Sequence, residues 1–150
     1  MRALELKIPP VALVLLFGVM MWLLSATVPS LALTLSWRTI IAFVLLSAGF
    51  AIALAGVLEF RRAKTTVNPL TPEAASVMVT SGIYRYTRNP MYLGLLVTLF
   101  GWAVWLSHLL AFALLPLFLL YMNRFQIEPE ERALSAKFGR HFSDYGRSVR

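Results

Sequence analysis

The sequence predicts an all-α integral membrane protein, a bundle of four transmembrane helices followed by a C-terminal amphipathic helix. The first reason is composition, because 59% of the 150 residues are hydrophobic and only 14% are charged, whereas soluble domains are nearer half apolar and a quarter charged. The second reason is a set of long apolar runs, the last of them long enough for a hairpin. The third is that lysine and arginine gather on one side of the membrane if the chain crosses it four times.

The first two apolar runs each have the length of one bilayer crossing. We expect the first helix at about residues 8–28 and the second at about 39–58, since about 20 residues span a bilayer. The first run lacks a small-residue cleavage site after a short apolar core, so it is interpreted as a retained helix rather than a signal peptide. Small residues, among them Gly49 and Gly56, give the second helix a face for close packing.

The third apolar run, residues 91–122, is too long for one straight crossing. As a single helix it would measure about 48 Å, against a hydrocarbon core of about 30 Å. Ser107 and His108 interrupt it. We therefore expect a tight helical hairpin with arms at about 91–106 and 109–122, which are short enough to require tilt or local thinning of the bilayer.

The basic residues set the expected topology of this multi-pass protein. With four crossings, all 14 lysines and arginines except Arg38 lie on one side, and the positive-inside rule makes that side cytoplasmic, together with both termini. The polar chemistry then falls in two cytoplasmic segments, 59–90 and 123–150, and a bacterial inner membrane is the expected location. This topology accounts for the net charge of +7 without nucleic-acid binding, and the absence of cysteine excludes thiolate metal sites.

The second cytoplasmic segment predicts an amphipathic helix over residues 127–149, weakened by Gly139 and Gly146. Its apolar stripe, at three-, four- and seven-residue steps, consists of Ile127, Leu134, Phe138, Phe142, Tyr145 and Val149. Glu131 falls within this stripe, and a carboxylate facing an apolar surface needs a partner. Either an arginine of the 59–90 segment, or a bound cation or polar ligand, could be that partner.

Two polar motifs flank the expected hairpin, SGIYRYTRNPMYLG at residues 81–94 and EPEERALSAKFGRHFSDYGRSV at residues 128–149. In combination and at this spacing they resemble the isoprenylcysteine carboxyl methyltransferase family and, more loosely, the phospholipid N-methyltransferases. The resemblance covers the chain from about residue 60 onward. The positions that carry it are Arg88, Asn89, Pro90, Tyr92 and Gly94, then Glu130, Glu131, Leu134, Phe138, Gly139, Phe142 and Tyr145.

The resemblance implies a membrane methyltransferase that uses S-adenosylmethionine, acts on a lipophilic acceptor and releases S-adenosylhomocysteine. It implies a cytoplasmic cofactor pocket without a Rossmann domain, which agrees with the absence of a G-x-G-x-x-G motif. The implied cofactor-binding residues are Met78, Val79, Tyr84, Asn89, Pro90, Met91, Tyr92, Glu130 and Glu131. Arg88 and Gln126 are the implied substrate contacts. A substrate-contacting arginine of the family aligns with Gln126, so an isoprenylcysteine carboxylate fits this sequence less well.

The chemistry of methyl transfer is consistent with these residue types. An in-line displacement needs alignment and a dry site more than an acid or a base, so we expect neither a catalytic triad nor a metal. Arg85 or Arg88 could bind the cofactor carboxylate, while a glutamate could accept hydrogen bonds from its hydroxyl or ammonium groups. We expect a structural role for His108 at the hairpin turn, and His141 stands beside the tail stripe.

Other interpretations stay open at this point. The acceptor could be a phospholipid amine, methylated on nitrogen within the same architecture. The arginines and tyrosines of both motifs could instead anchor helix ends in lipid headgroups, in a non-enzymatic protein that binds lipid or a protein partner. A related reductase fold with a nicotinamide cofactor is the most distant of these alternatives.

Overall fold

The computed structural model describes residues 4–27, 35–66, 68 and 70–149. The described chain is mostly helical, and its longest non-helical segment, between α2 and α3 at residues 63–89, contains only two short 3-10 turns. The α-helices are α1 Pro10–Ser25, α2 Leu35–Arg62, α3 Pro90–Leu106, α4 Leu109–Met122, α5 Glu128–Phe138 and α6 Arg140–Ser148. No strand occurs among these residues, so the all-helical prediction is confirmed for the part of the chain that the structure describes.

The apolar helices differ in length. Two helical segments have the length and the apolar composition to cross a membrane. They are Trp37–Arg62, within α2, and Leu109–Phe138, which contains both α4 and α5. Pro10–Ser25 and Pro90–Leu106 are shorter apolar helices of about 24–26 Å at 1.5 Å per residue. The described residues thus contain two candidate membrane-spanning helices, and four crossings stay a prediction.

The first two helices depart from their expected bounds. α1 begins at Pro10 rather than at residue 8, because proline suits the first helical position, where its missing N–H has no partner in any case. α1 ends at Ser25, before the expected end at residue 28, which itself lies outside the described residues. α2 extends over 28 residues, from Leu35 to Arg62, and so includes a charged turn that the sequence assigned to the following segment.

α3 and α4 form the hairpin, which turns at Ser107 and His108. Ser107 adopts a φ of 52°, in the left-handed region, and this residue ends α3. The Nδ1 atom of His108 accepts a hydrogen bond from the N–H of Leu110 at 3.2 Å and thereby caps the start of α4. The buried imidazole of His108 therefore serves the turn itself.

α3 occupies the centre of the bundle, with α2 packed on one side and with α1 and α4 on the other. The indole N–H of Trp102 donates to the carbonyl of Gly18 at 3.0 Å and ties α3 to α1. On the α2 side, glycines bring two backbones together. A Cβ atom added at Gly94 would lie 2.5 Å from the carbonyl oxygen of Gly49, so this interface accepts only glycine.

The C-terminal tail is two helices rather than one. A π-helical turn, Asn123–Ile127, joins α4 to α5, and such a turn changes which side chains of the following helix face the bundle. α5 ends at Phe138, and the following residue, Gly139, has a φ of +55° and stops the helix as glycine commonly does. Gly146 lies inside α6 and does not break it.

Candidate active site

A cavity lies where the turn before α3 meets the tail helices. The end of α2, the loop after it, the first turn of α3 and the two tail helices form its wall. Its polar or charged lining residues are Thr66, Asn68, Tyr84, Arg88, Asn89, Tyr92, Glu130, Glu131 and Tyr145. Its remaining lining residues are Phe60, Pro72, Ala75, Val77, Met78, Val79, Met91, Leu134 and Phe142.

A buried carboxylate at the end of α2 fastens the segment that leads into α3. Glu59 accepts a hydrogen bond from the Ser81 hydroxyl at 2.6 Å and another from Arg62 Nη1 at 2.7 Å. Gly82, which follows Ser81, has a φ of +56°, and a Cβ atom at this residue would lie 2.5 Å from the Glu59 carboxyl carbon. The chain at this point therefore requires glycine for its conformation and for space.

The 3-10 turn Gly82–Arg85 presents Tyr84 to the cavity. The ring of Tyr84 meets Phe60 of α2 edge to face, with centroids 5.4 Å apart. From the other side, the hydroxyl of Tyr145 donates to the Tyr84 carbonyl at 2.7 Å, which links α6 to this turn. Burial raises the pKa of Tyr84, so its hydroxyl stays a neutral donor at physiological pH.

Tyr92 and Glu130 join the start of α3 to α5 across the cavity. The Tyr92 hydroxyl donates to Glu130 Oε2 at 2.7 Å. Burial raises the pKa of the Glu130 carboxyl from 4.5 to about 7; the bond from Tyr92 lowers it, and the neighbouring Glu131 raises it further. Glu130 lies eight residues beyond Met122, the last residue of α4, about 12 Å along the helix and outside the apolar hairpin.

Several polar atoms at the cavity are buried and have no hydrogen-bond partner. These atoms are the Tyr84 hydroxyl oxygen, Arg88 Nε and Glu131 Oε1. Arg88 Nη1 approaches Glu131 Oε1 to 3.1 Å as an ion pair, but without the alignment of a hydrogen bond. Because buried polar groups in folded proteins are nearly always satisfied, this concentration of unsatisfied donors and acceptors suits a polar ligand.

The size of the cavity also bears on the ligand. The volume of the cavity is about 60 Å³, and the cavity opens to solvent. Clefts that hold small ligands and cofactors measure about 300–1,000 Å³. The cavity is smaller than this range, so a cofactor-sized molecule would extend beyond it.

The comparison with known families now decides the assignment. The family described as phospholipid methyltransferase matches residues 37–141, more than two thirds of the chain, and this range includes nearly all of α2, the hairpin, the whole first motif and residues 128–141 of the second. The chain belongs to the phospholipid methyltransferase family. The family is one of membrane methyltransferases that generally use S-adenosylmethionine. The looser of the two resemblances in the sequence is thus confirmed, and the isoprenylcysteine carboxyl methyltransferase resemblance stays a prediction.

The chain is also similar to a bacterial protein. This phospholipid methyltransferase family member is 43% identical over 60 residues to an uncharacterized protein of Haemophilus influenzae, and the alignment covers 40% of this chain and 95% of that protein. No solved structure matches the chain.

The predicted cofactor residues of this family member lie together. All of them except Pro90 line the cavity, and so does Arg88. Pro90 occupies the first position of α3 and does not itself line the cavity, although both of its sequence neighbours do. Gln126, the other predicted substrate contact, lies one helical turn before Glu130 and does not line the cavity. Its side chain is fully buried and donates from Nε2 to the carbonyl of Ile8 at 2.9 Å.

The partner of Glu131 is Arg88, the arginine alternative of the two that the sequence left open. Arg85 and His141 are exposed and do not line the cavity. The sequence interpretation missed Phe60, which lines the cavity, and Glu59, which holds Ser81 in the segment before α3. A carboxylate at the end of an apolar helix was the available signal, since such a group requires a partner.

The raised pKa of Glu130 predicts how the stability of this family member changes with pH. The Glu130 carboxyl ionises near pH 4.5 in the unfolded chain and near pH 7 in the folded protein. The contribution of Glu130 to the free energy of unfolding is therefore fully present below pH 4.5 and is lost as the pH rises through 7. Between pH 5.5 and 8 we expect the ligand-free protein to lose about 2 kcal/mol. Melting temperatures in detergent across this range measure the slope.

Two variants make that measurement specific. Glu130→Gln should flatten the slope, because the amide does not ionise. Glu128→Gln should keep it, because Glu128 lies on the same helix but pairs with Arg124 at the surface. Equal slopes in wild type and Glu130→Gln would contradict the prediction.

Proposed function

We propose that the protein is a membrane-embedded, S-adenosylmethionine-dependent methyltransferase that transfers a methyl group to a lipophilic acceptor. The chain crosses the bilayer four times in this proposal, with α1, α2 and the hairpin as the spans and with both termini cytoplasmic. The cavity then lies at the cytoplasmic surface of a bacterial inner membrane, where a lipid headgroup and a water-soluble cofactor can both reach it.

The observation that carries the proposal is the set of buried polar atoms without a hydrogen-bond partner at the cavity, which belong to Tyr84, Arg88 and Glu131. S-adenosylmethionine has a sulfonium cation, an ammonium, a carboxylate and two ribose hydroxyls. Arg88 would bind the carboxylate, and Glu130 would accept hydrogen bonds from the hydroxyls or the ammonium. Tyr84 and Tyr92 would place aromatic faces beside the cation.

When bound, the cofactor supplies a methyl group activated on a sulfonium, and S-adenosylhomocysteine leaves. The protein contributes position and exclusion of water. Tyr145 and Phe142 hold α6 over the cavity, and the lining residues of α3 fix the side from which an acceptor approaches. No general acid or base is assigned, because alignment and desolvation supply most of what an in-line displacement needs.

A lipid amine is the acceptor that we favour. The family description supports a phospholipid, and the acidic pair Glu130–Glu131 would attract an ammonium headgroup rather than a carboxylate. The ammonium headgroup would first lose a proton to solvent at the cavity. The lone pair of the neutral nitrogen would then form the bond to the methyl carbon as the carbon–sulfur bond breaks.

A lipidated carboxylate is the second candidate acceptor, as in the isoprenylcysteine carboxyl methyltransferases. Arg88 favours it, since a guanidinium in the cavity wall could hold an acceptor carboxylate instead of the cofactor's. The position of Gln126 weighs against it, because that amide already donates to Ile8.

The first test is cofactor binding to detergent-purified protein by calorimetry, followed by transfer of labelled methyl groups to phosphatidylethanolamine and to a farnesylcysteine. We expect binding of S-adenosylmethionine in the micromolar range, competition by S-adenosylhomocysteine and label in the lipid amine. Label in the farnesylcysteine alone would select the second acceptor. Binding of a nicotinamide dinucleotide instead, or no binding by folded protein in both detergent and lipid, would refute the methyltransferase proposal.

A further inference from the structure

A second cavity lies away from the candidate active site, among α1, α2 and α3. α1 packs on α3 and α4, and α2 packs on the opposite side of α3. This arrangement leaves a crevice between α1 and α2, with α3 as its floor. The crevice measures about 540 Å³ and is lined, among others, by Val14, Gly18, Trp22, Leu46, Thr98 and Trp102.

The few polar groups in the crevice wall are already bonded. The Thr98 hydroxyl donates to the Gly94 carbonyl at 2.9 Å, and the Trp102 indole N–H donates to the Gly18 carbonyl at 3.0 Å. An occupant gains nothing by bringing a polar group here and would pay the desolvation of any group that it left unpaired. The chemistry of the crevice therefore selects a hydrocarbon.

Gly18 leaves room in the crevice for such an occupant. A Cβ atom added there would meet only Trp102 Nε1, at 4.0 Å. The glycine on this face of α1 therefore widens the crevice at its middle, where any larger side chain would narrow it. Trp22, about one turn further along α1, is 54% exposed and forms the rim.

The crevice and the candidate active site lie at different heights along one face of α3 and share no lining residue. Met91, which lines the active-site cavity, is followed on the same face by Leu95, Thr98 and Trp102, at steps of four, three and four residues. Thr98 stands about 10 Å along the helix from Met91. A lipid with its headgroup at the cavity would thus find the crevice at the depth of its hydrocarbon chain.

We propose that this crevice binds one hydrocarbon chain of the lipid acceptor and so selects acceptors by chain length. The proposal rests on the proposed function, because it takes the acceptor to be a lipid. It assigns the crevice to substrate recognition, separate from cofactor binding.

The test fills the crevice and compares chain lengths. Gly18→Leu should raise KM for 1-palmitoyl-2-oleoyl phosphatidylethanolamine about tenfold, while KM for dihexanoyl phosphatidylethanolamine and Kd for S-adenosylmethionine stay unchanged. Ala12→Leu is the matched control, since it enlarges an exposed residue of α1 outside the crevice. It should alter none of these values.

A second measurement needs no catalysis. In bilayers containing a small fraction of phosphatidylethanolamine with a dibrominated chain, fluorescence of Trp22 and Trp102 should be quenched saturably in wild type and in Ala12→Leu, but not in Gly18→Leu. Quenching that rises linearly with the brominated fraction in all three proteins would mean bulk lipid only, and would overturn the proposal. So would a dimer of this chain that dissociates in Gly18→Leu, because the crevice would then be a contact between copies.

The two measurements separate the two proposals. Saturable quenching without any methyl transfer or cofactor binding would refute the proposed function and the acceptor role together, and would leave a bound structural lipid. Cofactor binding and methyl transfer by Gly18→Leu, with the wild-type KM for both the long-chain and the short-chain lipid, would keep the proposed function and overturn the crevice assignment alone.

Discussion

Gly94→Ala is expected to destabilise the protein by about 3 kcal/mol or more, and so to lower its melting temperature by about 10 °C. The added methyl group would lie 2.5 Å from the Gly49 carbonyl oxygen and 2.6 Å from the Ala53 amide nitrogen. Both neighbours are backbone atoms of α2, which cannot rotate aside as a side chain could. α2 and α3 would have to separate.

The effect should extend to the candidate active site, because α2 carries Glu59 and Phe60. Gly18→Ala is the matched control, a glycine-to-alanine change in another apolar helix where the new Cβ atom has open space. Alanine is the better helix former there, so its melting temperature should stay level or rise slightly. Equal melting temperatures for the two variants in the same detergent would show that the α2–α3 contact is looser than described here.

Glu130→Gln is expected to weaken S-adenosylmethionine binding by about 10- to 100-fold, the loss that follows when a hydrogen bond to a charged group worth about 1.5–3 kcal/mol disappears. The amide keeps the shape of the carboxyl group but offers one acceptor oxygen and no charge. Methyl transfer at subsaturating cofactor should fall by the same factor. Calorimetry and initial rates measure the two effects.

Controls separate this loss from unfolding. Glu130→Gln removes a buried ionisable group, so at pH 8 the ligand-free variant should melt no lower than wild type. Tyr92→Phe, which deletes only the hydroxyl that orients Glu130, should weaken binding by about 3- to 10-fold. Glu128→Gln should bind as wild type does. Full cofactor affinity in Glu130→Gln would remove Glu130 from the proposed site.

The features of the fold that the sequence predicts best are those encoded by local composition. The apolar runs and the Ser107–His108 interruption led to the helices and their turn, because length and hydropathy act residue by residue. The two polar motifs led to Tyr92 and Glu130 as parts of one site, although 38 residues separate them. That prediction depended on the resemblance to a family, since periodicity alone does not join two distant segments.

The features that escaped prediction depend on tertiary contacts. The partnership of Glu59 with Ser81 joins residues 22 apart, and nothing in the spacing of either residue indicates the other. The single tail helix was expected to weaken at both Gly139 and Gly146, yet only Gly139 breaks it. Gly146 lies inside α6, where a Cβ atom would approach Arg88 Nη1 to 3.3 Å, so its position reflects the approach of another segment.

The chain order of the cavity wall has a consequence for biosynthesis. The contact between Glu59 and Ser81 can close as soon as α2 and the following loop have left the ribosome, so the first half of the wall is anchored early. Glu130 emerges 38 residues after Tyr92, a delay of about 2–8 s at the usual elongation rate of 5–20 residues per second. Until then Tyr84, Arg88 and Tyr92 have no acidic counterpart. We expect a nascent chain stalled within α4 to be inserted in the membrane but unable to retain S-adenosylmethionine, so truncated products would not compete for the cell's methyl donor.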